Sequence, residues 1–188
     1  MNVTGPGQSL LLLLDVVGLL DEQCIPYGVI GALAASVYGT IRATTDADAL
    51  VSVSALRLGS LEKKLRKTGL TTRLRRGDAD DPIPSLLAVS DRYGNRVDLL
   101  GGLRGLDPAV FERTLAVPFS GRTLRIIGRE DFIAMKCLAG GPQDIADAQE
   151  ALNSAGGRID IDLLRRVTRR FGRPAADALE SLLAGSAR

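Results

Sequence analysis

The sequence contains no histidine and no tryptophan, only two cysteines, and aromatic residues at just 4% of its positions. Each shortage removes a class of chemistry. Without imidazole there is no Ser-His-Asp triad, no Cys-His dyad, no histidine general base and no histidine metal ligand. Cys24 and Cys137 are far apart, and two thiols without imidazole do not complete a structural zinc site. Two thiols are also too few for a secreted disulfide scaffold, so a reducing, cytoplasmic setting is expected. Long apolar runs are missing too. Residues 10–14 are consecutive leucines, but no Lys or Arg precedes them, Asp15 ends the run, and Asp21 and Glu22 follow. A secretory leader needs a positive flank and a small-residue cleavage site. A membrane span needs about 18 or more apolar residues. Neither is expected. Catalysis in such a chain relies on carboxylates, amines, hydroxyls or an oxygen-bound cation such as Mg²⁺.

What is present fits a globular protein. The 188 residues are 45% hydrophobic and 24% charged, enough for one domain, or one plus a small helical annex, with a core that needs no disulfide. Net charge is +2, from 24 basic and 22 acidic residues. That balance hides a local excess. Residues 57–76 hold Arg57, Lys63, Lys64, Arg66, Lys67, Arg73, Arg75 and Arg76 against Glu62 alone. Arg165, Arg166, Arg169, Arg170 and Arg173 form a second cluster. Each cluster has two readings: a solvated helix face, or a surface that attracts phosphates.

The patterning predicts alternating strands and helices, then helices alone. A helix is expected over 9–22 with Ser9 as N-cap, a strand at 27–30, and a small-residue helix at 32–37. A strand over 47–53 precedes a basic helix that starts at Ser54, runs to about 67 and closes at Gly69. Strands follow at 70–75, 85–91 and 96–100, the last two joined by Tyr93-Gly94-Asn95. Asp107-Pro108 opens a short helix, and a second hairpin turns at Ser120-Gly121. Four helices are expected at 129–139, 144–154, 160–171 and 174–183. The fold class is therefore α+β: a mixed-sheet core over 1–128 and a C-terminal helical subdomain over 129–188 packed on it.

The segment 30–51 holds the candidate chemistry. Asp46 and Asp48 are one residue apart on a strand, so both side chains point to the same side. Paired carboxylates repel unless solvated or bridged by a cation, and carboxylate oxygens are what Mg²⁺ prefers. Gly31 lies between an apolar strand and a helix, where free N–H groups suit a phosphate. Asp98 is an acid inside an apolar strand, which is costly unless it is exposed, paired or metal-bound.

These residues resemble the signature of the DNA-polymerase-β-like nucleotidyltransferase superfamily, in its bacterial branch around AbiEii-type toxins. Gly31 matches the first glycine of its turn and Ala34 a small helix residue. Arg42, Thr44, Asp46 and Asp48 match R-x-T-x-D-x-D without gaps, and Asp98 matches the third acid. Lys136, Asp144 and Asp147 fall on a second block, and the resemblance spans about 27–152. It departs at Ala32, where the family has a second glycine or a serine, and at Gln143, where a basic residue is common. The resemblance implies a polymerase-β-like fold and NMP transfer from an NTP to a hydroxyl. It implies two Mg²⁺ ions (Mn²⁺ as the alternative) held by Asp46, Asp48 and Asp98. Gly31, Ala32, Arg42, Thr44 and Lys136 would contact the nucleotide, with Asp144 and Asp147 secondary.

Several roles have a plainer reading. Arg42 suits a salt bridge as well as a phosphate. Thr44 and Thr45 suit loop orientation. Lys136 suits a structural pair with Asp144, itself a natural helix-start acid. Tyr38 suits core packing, and both thiols suit burial. Three functions follow. The first is transfer to RNA, tRNA or a partner protein, as in a toxin–antitoxin pair, with residues 57–76 as the contact. The second is transfer to an antibiotic, against which the few aromatics argue. The third is a non-catalytic, antitoxin-like binding module.

Overall fold

The computed structural model describes residues 3–41, 43–78, 80–156 and 158–186. The elements run α1 (Ser9–Glu22), β1 (Tyr27–Ile30), α2 (Gly31–Val37), β2 (Asp46–Val51), α3 (Ala55–Lys67), β3 (Thr71–Arg76), β4 (Ser85–Ser90) and β5 (Arg96–Leu100). A 3-10 turn (Pro108–Phe111), β6 (Leu115–Phe119) and β7 (Arg122–Ile126) follow. Then come α4 (Arg129–Ala139), α5 (Pro142–Asn153), α6 (Ile161–Arg169) and α7 (Arg173–Ser186). This is the α+β plan the patterning predicts. Among the described residues, no helix is long and apolar enough to cross a membrane.

Two compact units emerge. The first gathers residues 3–33, 43–104 and 116–126, and the second 34–41, 105–115 and 127–186. The first holds the sheet, ordered β3-β4-β5-β2-β1-β7-β6. It is mixed: β2/β5 and β1/β7 are parallel, whereas β1/β2, β3/β4 and β4/β5 are antiparallel. Side chains alternate across a strand, so register defines the faces. One face is apolar and buried. Thr72, Val89, Val97 and Ala47 form one row, and Leu87, Leu99, Ala49 and Val29 the next. α1 packs on β2, β5 and β7, and α3 on β3 and β4. Residues Leu12, Leu13, Val16 and Leu20 of α1 are fully buried. Each such side chain contributes about 1.5–3 kcal/mol of burial.

Local signals explain most boundaries. Ser54 caps α3, its hydroxyl accepting from Arg57 N at 3.4 Å. Gly140 closes α4 in the left-handed region, φ 67, and its N–H reaches Lys136 O at 3.0 Å. Pro142 sits at the first turn of α5, so that helix starts two residues before the expected 144. Ser9 is not the cap of α1. Gln8 precedes the helix without a side-chain bond, and the Ser9 hydroxyl points into the tertiary structure instead.

Candidate active site

In the first unit, Asp46 and Asp48 alternate with the buried Ala47 and Ala49, so they stand on the sheet face opposite α1 and α3. On the parallel neighbour β5, Asp98 is in register with Asp48, and Arg96 with Asp46. On the other side, Ile30 is in register with Asp48 and leads directly into Gly31. Neighbouring strands lie about 4.7–4.9 Å apart. Three carboxylates thus share one face of two adjacent strands, beside the β1–α2 turn.

Gly31 has φ 65, and a Cβ there would lie 2.4 Å from Asp48 Oδ2. Glycine is required twice, by the backbone conformation and by the carboxylate pressed against it. Gly31→Ala is therefore expected to lower stability by about 1–2 kcal/mol from backbone strain alone and to push Asp48 aside. Calorimetric unfolding measures the first effect. An unchanged unfolding midpoint refutes it.

Smaller contacts fix the neighbourhood. Thr44 Oγ1 lies 2.9 Å from both the main-chain oxygen and Oδ1 of Asp46, so its single proton orients that carboxylate or its peptide. Ser9 Oγ donates to Thr45 O at 2.6 Å and accepts from Arg96 N at 3.0 Å. That one hydroxyl ties the start of β2 to the start of β5. Asn95, 1% exposed, accepts from Gln8 N at 2.6 Å and donates to Gly5 O and Asp91 Oδ2, each at 2.8 Å.

The residue that sequence reasoning missed is Arg96. Its Nε donates to Asp98 Oδ1 at 2.9 Å and its terminal nitrogen to Oδ2 at 2.6 Å, a two-point fork. The Asp98 hydrogen bond and charge, helped by Asp46 and Asp48, raise the Arg96 guanidinium above its ordinary value against desolvation. The signal was the spacing: Arg96-Val97-Asp98 puts base and acid on one face of a strand. Asp98 is thus paired, one of the three ways such an acid becomes tolerable.

The carboxylates suit a hard divalent cation by chemistry and by their shared face. As folded, however, Arg96 engages both Asp98 oxygens. Among the described residues, no three acidic or thiol side chains converge in metal-holding geometry. Arg96 and a cation are therefore competitors for Asp98. Arg96→Gln is expected to bind Mn²⁺ about tenfold more tightly than the unaltered protein, because a charge-assisted bond of about 1.5–3 kcal/mol no longer opposes it. Titration followed by electron paramagnetic resonance checks this. Equal or weaker Mn²⁺ binding refutes it.

The second unit holds Lys136, Asp144 and Asp147. Lys136 Nζ lies 2.7 Å from Asp144 Oδ1 and 2.8 Å from Asp147 Oδ2. Gln143 Nε2 donates to Asp147 Oδ1 at 3.0 Å. Tyr38 is a packing residue: its hydroxyl donates to Ile127 O, its ring meets Phe132, and the Arg129 guanidinium lies 4.8 Å above it. Cys137 is buried, which pushes its thiol up to about 11. Cys24, expected to be buried, is exposed: φ 50 turns it away from the helix end. Arg42 lies outside the described residues. Ala32 follows Gly31 in the first turn of α2.

No protein-family profile matches the sequence, and no curated protein matches it. Solved structures do. The solution structure of the antibiotic-resistance factor ANT(2'')-Ia matches with TM-score 0.58 at 16% identity, covering 93% of this chain and 96% of that one. An antigenic nucleotidyltransferase-like protein from Paracoccidioides brasiliensis matches with TM-score 0.54 at 12% identity, covering 97% and 91%. The lincomycin-bound lincosamide antibiotic adenylyltransferase LnuA matches with TM-score 0.52 at 12% identity, covering 81% and 99%. At these identities the likeness is one of fold, and the fold of this chain is the mixed α+β nucleotidyltransferase fold.

Proposed function

We propose that the protein is a Mg²⁺-dependent nucleotidyltransferase of the polymerase-β-like superfamily, in its AbiEii-like branch, and moves an NMP from an NTP to a hydroxyl of a macromolecular acceptor. The register that sets Asp46, Asp48 and Asp98 on one face beside Gly31 carries this reading. Asp46 and Asp48 would hold both ions, and Asp98 the catalytic one once Arg96 releases it. Bound there, Mg²⁺ or Mn²⁺ supplies charge neutralisation and activation of an attacking oxygen. The chain's own residues position the reactants. The N–H groups of Gly31 and Ala32 would hold the phosphates, Thr44 holds Asp46, and Arg42 would be a further phosphate ligand. Lys136, with Asp144 and Asp147, braces the second unit. Phosphoryl transfer rests on positioning and electrostatics, so a chain without histidine can carry it.

The test is incubation with each α-³²P-labelled NTP, Mg²⁺, and total RNA or cell protein. Label on a macromolecule supports the reading, and no label with any of the four NTPs counts against it. Antibiotic transfer is the second reading, favoured by solved neighbours such as ANT(2'')-Ia in complex with adenylyl-2''-tobramycin. It predicts label on an aminoglycoside or lincosamide and none on RNA. In a toxin–antitoxin setting, Asp46→Asn would abolish growth arrest. A non-catalytic module would be indifferent to that change.

A further inference from the structure

Asp46 and Arg96 stand in register at the open end of the parallel β2/β5 ladder. A regular parallel ladder joins its two backbones by direct, evenly spaced bonds. At this end a side chain intervenes. The Arg96 N–H donates to Ser9 Oγ at 3.0 Å, and the same hydroxyl donates to Thr45 O at 2.6 Å. The last rung is therefore two hydrogen bonds long, with a serine oxygen between the strands.

The chain before α1 aims that oxygen. Gln8 N–H donates to Asn95 Oδ1 at 2.6 Å, and Asn95 Nδ2 donates to Gly5 O at 2.8 Å. Asn95 is buried and directly precedes Arg96, so residues 5–8 are locked to the β4–β5 turn. Asp91 fixes the turn itself, accepting from Tyr93 N at 2.8 Å and Asn95 N at 3.0 Å. Ser9 is buried as well. A serine at a helix start commonly serves as its cap. Here α1 has no side-chain cap, and the hydroxyl serves the strands.

The acidic face hangs on this rung. Thr45 O belongs to the peptide that leads into Asp46, and Thr44 Oγ1 reaches the Asp46 carboxylate at 2.9 Å. Arg96 opens the strand that carries Asp98 two residues on. Further along the ladder, Asp48 and Asp98 are in register. The ladder thus sets the spacing of that pair, whereas the inserted oxygen sets how far Asp46 stands from β5.

We propose that Ser9 is a positioning residue for a divalent cation. Its hydroxyl, held between Thr45 and Arg96, sets the distance between Asp46 and Asp98 and so the space their carboxylates share. It touches neither the ion nor a substrate. This rests on the transferase reading only for the use the ion is put to. Without the hydroxyl, a buried N–H and a buried C=O lose their partner. They satisfy each other by closing to a direct rung, which narrows the space. Water does not take the place of the oxygen, because the room freed beside the remaining Cβ is that of one atom. Groups that orient the ligands of a metal count for about 10–100-fold in its affinity.

Mn²⁺ titration of the full chain without nucleotide, followed by electron paramagnetic resonance, tests this. Ser9→Ala is expected to bind Mn²⁺ about tenfold or more weakly than the unaltered protein. Ser9→Cys fills the same place with a poor hydrogen-bonding group and is expected to lose as much, which keeps the measurement available if the alanine variant does not fold. Leu58→Ala opens a cavity in the buried core under α3 and leaves the rung alone. Its Mn²⁺ affinity is expected to stay within about twofold, since distant sites act independently. Circular dichroism confirms which variants are folded. Unchanged affinity in the Ser9 variants, or an equal loss in Leu58→Ala, overturns the inference and leaves the transferase reading standing. Mn²⁺ binding that needs Ser9, in a protein that labels no acceptor, upholds the inference and sinks that reading. No Mn²⁺ binding by the unaltered protein overturns both.

Discussion

Asp48→Asn is expected to lower NMP transfer by about 10²–10³-fold, the scale on which one preorganised electrostatic contact at the reacting centre counts, without lowering the unfolding midpoint. The second half of that result separates function from folding. Asn keeps the size of the carboxylate and one acceptor oxygen, exchanges the other for an NH₂ donor, and loses the charge. Asp48 stands in register with Asp98, two residues from Asp46, and against Gly31. Carboxylates crowded on one face repel, so deleting one charge relieves the fold while it disables the site. Rate measured with saturating NTP and stability measured by thermal unfolding should therefore move apart. A variant that keeps a tenth of the activity removes Asp48 from the mechanism. One that loses activity and stability together makes its role structural. Asp46→Asn should behave alike, because Thr44 Oγ1 can still reach the amide oxygen or the main-chain oxygen of residue 46.

Much of this site was legible because it is local. The period of two across Asp46 and Asp48, the glycine between β1 and α2, and the apolar setting of Asp98 are all short-range patterns. The α+β order, the two hairpins and the start of the basic helix at Ser54, one residue before the observed Ala55, were legible for the same reason. What escaped is what depends on distant partners. Ser9 has the chemistry of an N-cap, yet its hydroxyl serves Thr45 and Arg96, 36 and 87 residues away. No local rule ranks that use above capping. Sheet order is likewise non-local: β2 lies between β1 and β5, and β1 pairs in parallel with β7. Arg96 is a different kind of omission. Its spacing from Asp98 was visible, but attention to the acid as a metal ligand passed over the base beside it. Cys24 was read by composition, since free thiols are usually buried, whereas a positive φ at the end of α1 turns it outward.

Lys136→Met is expected to destabilise the protein by about 3–5 kcal/mol, the penalty for stripping a buried ion pair of one partner. The Lys136 side chain is 11% exposed and that of Asp147 0%, while Asp144, at 29%, can recover water. Once the ammonium is gone, the buried Asp147 carboxylate loses its cation, and the neutral donor of Gln143 at 3.0 Å does not replace that charge. The double variant Lys136→Met/Asp147→Leu should then regain most of the loss, because an apolar pair of similar volume often replaces a buried ion pair at little cost. Urea unfolding of the single and double variants supplies both numbers. The family resemblance makes a different forecast for the same lysine. A γ-phosphate ligand would leave stability nearly unchanged on replacement and would weaken NTP binding, with no recovery in the double variant. A stable Lys136→Met protein with raised KM for NTP therefore decides for the nucleotide. An unstable one rescued by Asp147→Leu decides for the brace, and assigns α4 and α5 to holding the second unit together rather than to holding substrate.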